Sequence, residues 1–274
     1  MYFPEASAGN VLRGALGAML RQIHCDVECP GRLGRRAEEC ELSGSCQYAR
    51  IFEPSSLGAG PSGLSDRPRP FVLRASHLNG KRIAPPEPFW FDINLFDTRR
   101  PNVELLAEAF DRWATLLSVQ AVGADGCPRE GPISIPLEPP STTPQKLRVE
   151  FRTPTELKGG AGNKPDFGVL LARAQDRVSA LRQFYGPGPL AIDFRAMRTR
   201  AAGVRMTRCE LQQVSRARRS SRTGQIHGIG GFVGAVEYEG SLGEFWPYLE
   251  AARWTGVGRQ CVWGKGELGV KAVS

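Results

Sequence analysis

Hydrophobic side chains recur along the chain with two alternating periods, and these periods predict the order of its elements. A helical spacing of apolar residues, such as Leu12, Leu16 and Leu20, marks residues 9–23, 102–118, 166–184 and 245–253. A two-residue alternation marks strands at 70–76, 89–95, 133–135, 147–151, 203–215, 230–238 and 268–273. We therefore predict the order strand, helix, strand, strand, helix, strand in each half, which is typical of a ferredoxin-like unit.

The chain is predicted to be an α+β protein of two tandem ferredoxin-like (RRM-like) units. The first unit spans residues 1–136 and contains an aperiodic insert at 24–66, and the second spans residues 147–274. Residues 137–146 between them are polar and rich in proline, as expected of a linker. The segment before the first helix is shorter than a full opening strand requires.

Charge favours an anionic partner. Lys and Arg total 36 against 28 Asp and Glu, which gives a formal net charge of +8 over 274 residues. Arginine is the commoner cation, and its guanidinium group suits phosphate contacts, although a GC-rich genome would also enrich arginine. The chain has no run of about 18 apolar residues and no signal-peptide pattern at its amino terminus. We therefore expect a cytoplasmic protein with no membrane partner.

Four of the seven cysteines lie within the insert, and their clustering suggests a metal site. Cys25, Cys29, Cys40 and Cys46 have the spacing C-x3-C-x10-C-x5-C. Four thiols in a segment without apolar periodicity predict a tetrahedral structural site, for which zinc is favoured over an iron–sulfur cluster. The alternative is a set of partly buried free thiols.

Two further segments have the composition of phosphate-binding elements. A glycine-rich loop at residues 255–266 contains Gly256, Gly258, Arg259, Gly264, Lys265 and Gly266, whose backbone N–H groups and cations suit phosphate oxygens. A glycine-rich turn can also be a plain connector. A basic hairpin follows residue 215, and its predicted RNA contacts are Arg216, Arg218, Arg219, Ser220 and Arg222.

Several motifs occur in an order that resembles one known family. The motif G-V-G-x5-G-K-G at 256–266 follows a predicted helix, and the motif T-P-T-E-L-K at 153–158 follows a predicted strand. The segments 9–16 (GNVLRGAL), 46–52 (CQYARIF), 220–224 (SSRTG) and 230–234 (GGFVG) complete the set. Together they resemble the CRISPR-associated RAMP endoribonucleases that process precursor CRISPR RNA. The high arginine content and the insert further suggest a type IV CRISPR system.

The resemblance implies a specific reaction and specific partners. Members of that family bind the CRISPR repeat as a stem-loop and cut it once, on the 3′ side of the stem. The ribose 2′-OH attacks the neighbouring phosphate, which leaves a 2′,3′-cyclic phosphate and a 5′-OH without a catalytic metal. The product often stays bound, so the resemblance also implies association with other subunits of a CRISPR ribonucleoprotein complex.

Three histidines are candidates for acid–base catalysis. The resemblance favours His24, which lies at the end of the first predicted helix, where many members of that family carry their catalytic histidine. Its alternative roles are a helix-terminal residue or a spare metal ligand. Arg21, and Arg35 or Arg36, are candidates for stabilising the phosphorane, and Tyr48 is a further hydroxyl. His227 is predicted in the basic hairpin, and His77 has no neighbouring motif.

Two other functions remain open from sequence alone. A non-catalytic RAMP subunit that grips repeat RNA would share the fold, the glycines and the arginines. A zinc-containing regulator of duplex DNA would share the cysteine cluster, although no recognition helix is evident.

Overall fold

The computed structural model describes residues 1–25, 29, 36–57, 67–123, 125–142, 144–159, 164–215, 217–219, 226–228 and 230–273. Its helices are α1 (Ala8–His24), α2 (Gln47–Phe52), α3 (Val103–Trp113), α4 (Phe167–Tyr185), α5 (Phe194–Ala201) and α6 (Trp246–Thr255). Its strands are β1 (Phe71–Arg74), β2 (Asp92–Leu95), β3 (Lys146–Thr155), β4 (Arg205–Val214), β5 (Ala217–Arg219), β6 (Ile226–Gly228), β7 (Gly231–Glu239) and β8 (Leu268–Ala272). None of the helices within these ranges has the length and apolar character needed to cross a bilayer.

The second half of the chain forms one antiparallel sheet with the strand order β4-β7-β3-β8. Leu147, Val149 and Phe151 alternate inward along β3 and are buried beneath α4 and α6. The opposite face carries ion pairs between neighbouring strands, such as Arg148 with Glu237. This order of strands and helices confirms the predicted α+β class and its ferredoxin-like arrangement.

The first half packs α1 and α3 against the antiparallel pair β1–β2. Leu12, Leu16 and Leu20 form the buried face of α1, as the periodicity predicted. An opening strand is absent from the described residues, where Tyr2 makes only an isolated bridge to Arg82.

Two predicted elements of the first half differ in the structure. The third helix ends at Trp113 because the Asp111 side chain accepts a hydrogen bond from the Leu116 N–H, 2.9 Å away, and turns the chain. The alternation at 133–135 forms no strand among the described residues. The Ile135 side chain instead packs against the core of the second unit. The alternation therefore reflects a segment whose one face contacts the core while its backbone pairs with no described strand.

The two halves meet at the carboxyl-terminal end of α6. Arg74 of β1 donates to the Arg253 and Trp254 carbonyls at 3.1 Å, and Asn94 of β2 donates to the Trp254 carbonyl at 2.9 Å. Arg177 of α4 donates to the Thr255 carbonyl at 2.7 Å. The last carbonyls of a helix lack internal partners and carry its negative dipole end, so cationic donors stabilise them. These contacts fix the point at which the glycine-rich loop leaves α6.

Candidate active site and the glycine-rich loop

The four glycines of the loop are required by contacts within the protein. Gly256, Gly258, Gly264 and Gly266 all have positive φ angles, between 68° and 84°. A Cβ atom at Gly258 would lie 2.3 Å from the Glu156 carbonyl oxygen, and one at Gly266 would lie 2.0 Å from the Val257 carbonyl oxygen. The loop is therefore folded tightly onto the end of β3 and onto itself. Phosphate binding by these glycines stays a prediction.

The loop also touches the start of α1. A Cβ atom at Gly9 would lie 2.9 Å from the Cα atom of Gly264, so the two backbones meet without space for a side chain. Beside this contact, the Arg13 guanidinium lies 4.5 Å from the centroid of the Phe52 ring and 5.5 Å from that of Trp263. The amino-terminal end of α1 and the glycine-rich loop thus form one packed unit.

Glu156 links the T-P-T-E-L-K motif to the glycine-rich loop. Its Oε1 accepts from Arg259 at 2.8 Å and its Oε2 accepts from Lys265 at 3.3 Å. The Glu156 carbonyl also accepts from the Arg259 N–H at 3.0 Å. Burial raises the pKa of Glu156, but the Arg259 hydrogen bond and the Lys265 charge outweigh it and leave that pKa lowered. Both cations are therefore neutralised in part by the same carboxylate.

Lys265 and Arg259 differ in their access to a ligand. The Lys265 side chain is 2% exposed, and its Nζ donates to Gln260 at 3.0 Å as well as to Glu156. Burial lowers the pKa of Lys265, and the Glu156 charge offsets part of that effect. Arg259 is 65% exposed. Of these two predicted RNA contacts, the structure leaves Arg259 accessible and encloses Lys265.

His24 is the last residue of α1 and lies beside α3. Partial burial lowers its pKa, Glu108 of α3 raises it and Arg112 of α3 lowers it. The Nε2 atom of His24 is buried and has no hydrogen-bond partner among the described residues. A lowered pKa keeps the imidazole neutral near pH 7, which is the form a general base needs.

His24 and the glycine-rich loop lie at opposite ends of α1. His24 lies fifteen positions after Gly9 in this helix, which corresponds to about 22 Å along its axis. The structure therefore does not bring the predicted base and the predicted phosphate loop into one cluster. An RNA that touches both would do so with different nucleotides.

Arg21 lies one turn before His24 and is bound within the protein. Its guanidinium donates to the Tyr48 hydroxyl and, at 3.2 Å, to Oε1 of Glu53. The other carboxylate oxygen, Oε2, accepts from the Ala37 N–H at 2.8 Å. Burial and the Glu53 charge raise the pKa of Tyr48, which makes it a poor proton donor at neutral pH. Glu53 thus ties α1, α2 and the turn at Ala37–Glu39 together.

Arg36 lies next to this cluster with its side chain in solvent. Its side chain is 70% exposed and forms an ion pair with Glu38 at 3.1 Å. Exposed pairs of this kind contribute little to stability, so the guanidinium is free to exchange partners. Of the arginines predicted for catalysis, Arg36 is accessible, Arg21 is enclosed, and Arg35 lies outside the described residues.

The four insert cysteines lie near one another. Sγ of Cys29 and Sγ of Cys40 are 3.8 Å apart, which is about the edge length of a tetrahedral site with zinc–sulfur bonds of about 2.3 Å. Burial raises the pKa of Cys25 to about 12, with further contributions from Cys29 and Cys46. Within the described residues, no three His, Cys, Asp or Glu side chains stand in an arrangement that could hold a metal ion. Zinc binding therefore stays a prediction.

The basic hairpin is described only in part. β5 and β6 form an antiparallel pair in which Arg218 lies opposite His227 and Arg219 opposite Ile226. Arg216, Ser220 and Arg222 lie outside the described residues. The predicted RNA contacts in this hairpin therefore stay predictions.

Sequence reasoning missed three residues that organise this region. Glu156 belongs to a recognised motif, but its partner Lys265 is 109 residues away along the chain. Arg13 has no partner that its sequence position reveals, and its guanidinium packs on the rings of Phe52 and Trp263. Arg74 is the one charged residue of the apolar strand FVLR, and this was the available sequence signal for its bond to the end of α6.

Comparisons with known proteins agree with the fold and the motifs. Residues 149–268 match the family model of the CRISPR-associated endoribonuclease Cas6, and residues 1–121 match an N-terminal domain model named AF_1859_N. No curated protein sequence matches the chain. The product complex of Cas6 (TTHB231) superposes with a TM-score of 0.55 at 16% identity, over 98% of this chain and 95% of the other. The Thermus thermophilus Cas6 (TTHB231) structure gives a TM-score of 0.52 at 17% identity, over 98% and 93%.

The structural matches show the shared fold, and the family model identifies the enzyme class. The matched range includes most of β3, the T-P-T-E-L-K motif, helix α6 and the glycine-rich loop. Glu156 joins the motif to the loop. Residues 149–268 thus match the Cas6 endoribonuclease family, which identifies the protein as a CRISPR-associated endoribonuclease that acts in CRISPR RNA processing.

Proposed function

We propose that the protein binds the stem-loop of a CRISPR repeat RNA and cuts it once by attack of a ribose 2′-OH on the adjacent phosphate. The products are a 2′,3′-cyclic phosphate and a 5′-OH, and the reaction needs no metal ion. The stem-loop product stays bound to the protein, which then joins other subunits of a CRISPR ribonucleoprotein complex. Membership of a type IV system stays a prediction from the sequence.

The observation that carries this mechanism is the environment of His24. Partial burial against α3 lowers its pKa, so most of the imidazole is neutral and available as a base near pH 7. A positioned base of this kind contributes about 10²–10⁴-fold to the rate. Arg36 is an exposed cation on the insert, and it supplies positive charge to the phosphorane.

Arginines outside this pair support the proposal that the ligand is RNA. Arg259 is exposed on the glycine-rich loop, and the hairpin of β5 and β6 carries Arg218 and Arg219. Backbone contacts from such residues recognise A-form RNA by its shape and charge. Binding should therefore weaken steeply as salt rises, since each neutralised phosphate releases counterions. The Cas6 (TTHB231) structure with its product has the same fold and supports this assignment by analogy.

The alternative function is a subunit that binds repeat RNA without cutting it. The observation that favours it is the burial of the His24 Nε2 atom, together with the internal ion pair of Arg21. Incubating the protein with end-labelled repeat stem-loops in excess EDTA separates the two functions. Cleavage to products with a cyclic phosphate supports the enzyme, and tight binding without cleavage supports the alternative. If the protein neither binds nor cuts repeat RNAs, both functions are overturned.

A further inference from the structure

A stacked pair of aromatic rings lies on the surface of the first unit, and neither ring belongs to the candidate active site or the glycine-rich loop. The ring centroids of His77 and Trp90 are 3.8 Å apart with an interplanar angle of 20°. The Trp90 carbonyl is 2.9 Å from Nε2 of His77 and can only accept a hydrogen bond, so Nε2 is the donor. Trp90 is nevertheless 62% exposed. One face of a large ring is therefore held rigid by stacking while much of it stays in water.

The position of this pair places it beside the junction of the two units. Asp92, two residues after Trp90, is close enough to His77, Glu267 and Arg74 for all three charges to act on it. Glu267 directly follows the last glycine of the glycine-rich loop, and Arg74 binds the end of α6. The stacked rings thus lie beside Asp92, whose charged neighbours come from both units.

Two exposed cations lie near the pair along the chain. Lys81 and Arg82 come four and five residues after His77. A flat, rigid, exposed aromatic face next to cations is the usual platform for an unpaired base, whose phosphates the cations neutralise. A preformed platform also avoids the entropy cost of ordering a side chain on binding.

We propose that Trp90, held by His77, is a stacking platform for one unpaired nucleobase in the single-stranded RNA that flanks the repeat stem. The proposal rests on the proposed function, because it requires that the protein bind repeat RNA. It adds a contact that recognises the single strand by stacking, independent of the glycine-rich loop and the basic hairpin. Because every base has an aromatic face, the contact tolerates different sequences.

The test compares two RNAs: a repeat hairpin with its single-stranded flanks, and the same hairpin trimmed to its stem and loop. Trp90→Ala should weaken binding of the flanked RNA by about 5- to 150-fold, the range expected for losing one base–aromatic stack. Binding of the trimmed RNA should not change. Trp90→Phe should retain most of the affinity for the flanked RNA. Leu117→Ala removes a different exposed apolar side chain, which is 76% exposed, and should change neither affinity.

A second readout locates the base directly. Photo-crosslinking with 5-iodouridine in the flank, followed by mass spectrometry, should give an adduct at Trp90 that Trp90→Ala abolishes. Unchanged affinity of Trp90→Ala for the flanked RNA would overturn the platform and leave a protein partner as the occupant of this surface. Equal losses for both RNAs would also overturn it, because a stack on a flanking base cannot contribute to binding of an RNA that lacks the flank. If the wild-type protein binds neither RNA, the proposed function falls first.

Discussion

Glu156 and Lys265 form an ion pair across 109 residues of sequence, with Oε2 and Nζ 3.3 Å apart and the lysine side chain 2% exposed. The pair joins the end of β3 to the glycine-rich loop. Because the lysine has left water, its charge depends on this carboxylate and on Gln260. The position of the loop is therefore coupled to one acidic side chain.

Replacing Glu156 should destabilise the protein more than replacing its exposed partner. Glu156→Ala leaves the Lys265 ammonium buried with one remaining acceptor, and we expect a loss of about 2 kcal/mol in the free energy of unfolding. Arg259→Ala removes an ion pair to a residue that is 65% exposed and should cost no more than about 1 kcal/mol. Urea unfolding measures both, and equal losses would contradict the structural role of the pair.

The same carboxylate gives this contribution a pH dependence. The pKa of Glu156 is lower in the folded protein than its ordinary value. Its contribution is therefore complete above the ordinary carboxyl pKa and is lost as the pH falls through the lowered value. The difference in stability between wild type and Glu156→Ala should shrink across that acidic window.

Two glycines of α1 should respond oppositely to alanine. Gly14 is exposed with no atom within 4 Å of an added Cβ, so Gly14→Ala should stabilise the helix by up to about 1 kcal/mol. Gly9→Ala would place a Cβ 2.9 Å from the Gly264 Cα atom and should destabilise by about 1–3 kcal/mol, because backbone must move. Thermal unfolding of the two variants tests this, and stabilisation by both would show that α1 does not pack on the loop.

His24 should produce an acidic limb in the pH–rate profile. The midpoint of this limb should lie below pH 6.5, because the pKa of His24 is lowered from the ordinary value of 6.5. His24→Ala should reduce cleavage by about 10²–10⁴-fold and remove the limb.

Neighbours of His24 on α3 should move that limb in opposite directions. Arg112→Ala removes a charge that lowers the pKa of His24, so the limb should shift to higher pH. Glu108→Gln removes a charge that raises it, so the limb should shift to lower pH. If neither substitution changes the pH at which the limb occurs, the general base is a residue other than His24.

The cysteine cluster should bind zinc. We expect about one zinc ion per chain after purification, because four thiols can form a tetrahedral site and two of them lie 3.8 Å apart. Cys29→Ser and Cys40→Ser should each lower the zinc content and the melting temperature. Cys127→Ser and Cys209→Ser change exposed cysteines elsewhere and serve as controls. Metal analysis that finds no zinc in the wild-type protein would leave the four residues as free thiols.

Periodicity predicted the long elements because each buries a continuous apolar face. The bounds of α1 and β7 differ by about one residue from those predicted, since Leu12 and Phe232 anchor faces that continue to their ends. Helix α5 was missed because Arg195, Arg198 and Arg200 dominate its surface and only Met197 and Ala201 are buried. Local pattern cannot signal a helix with so small a buried face.

The site was less predictable than the fold, because its contacts join distant residues. Sequence composition placed glycines and cations together in the loop, but a phosphate-binding loop and a loop folded on itself have the same composition. The proximity of Gly9 to Gly264 and of Glu156 to Lys265 decides how the loop is held, and neither follows from spacing. Likewise, the position of Arg21 on the helix, away from the apolar face, predicts an accessible cation. In the structure, Arg21 forms an ion pair with Glu53, which lies outside that helix.

One measurement tests the proposed chemistry most directly: cleavage of a repeat stem-loop carrying a single 2′-deoxy substitution at the cut nucleotide, beside the all-ribose RNA, in excess EDTA. We predict that the all-ribose RNA is cut and that the deoxy RNA is bound with equal affinity and left intact. Cleavage of the deoxy RNA, or loss of all cleavage in EDTA, would contradict attack by the 2′-OH without a metal ion.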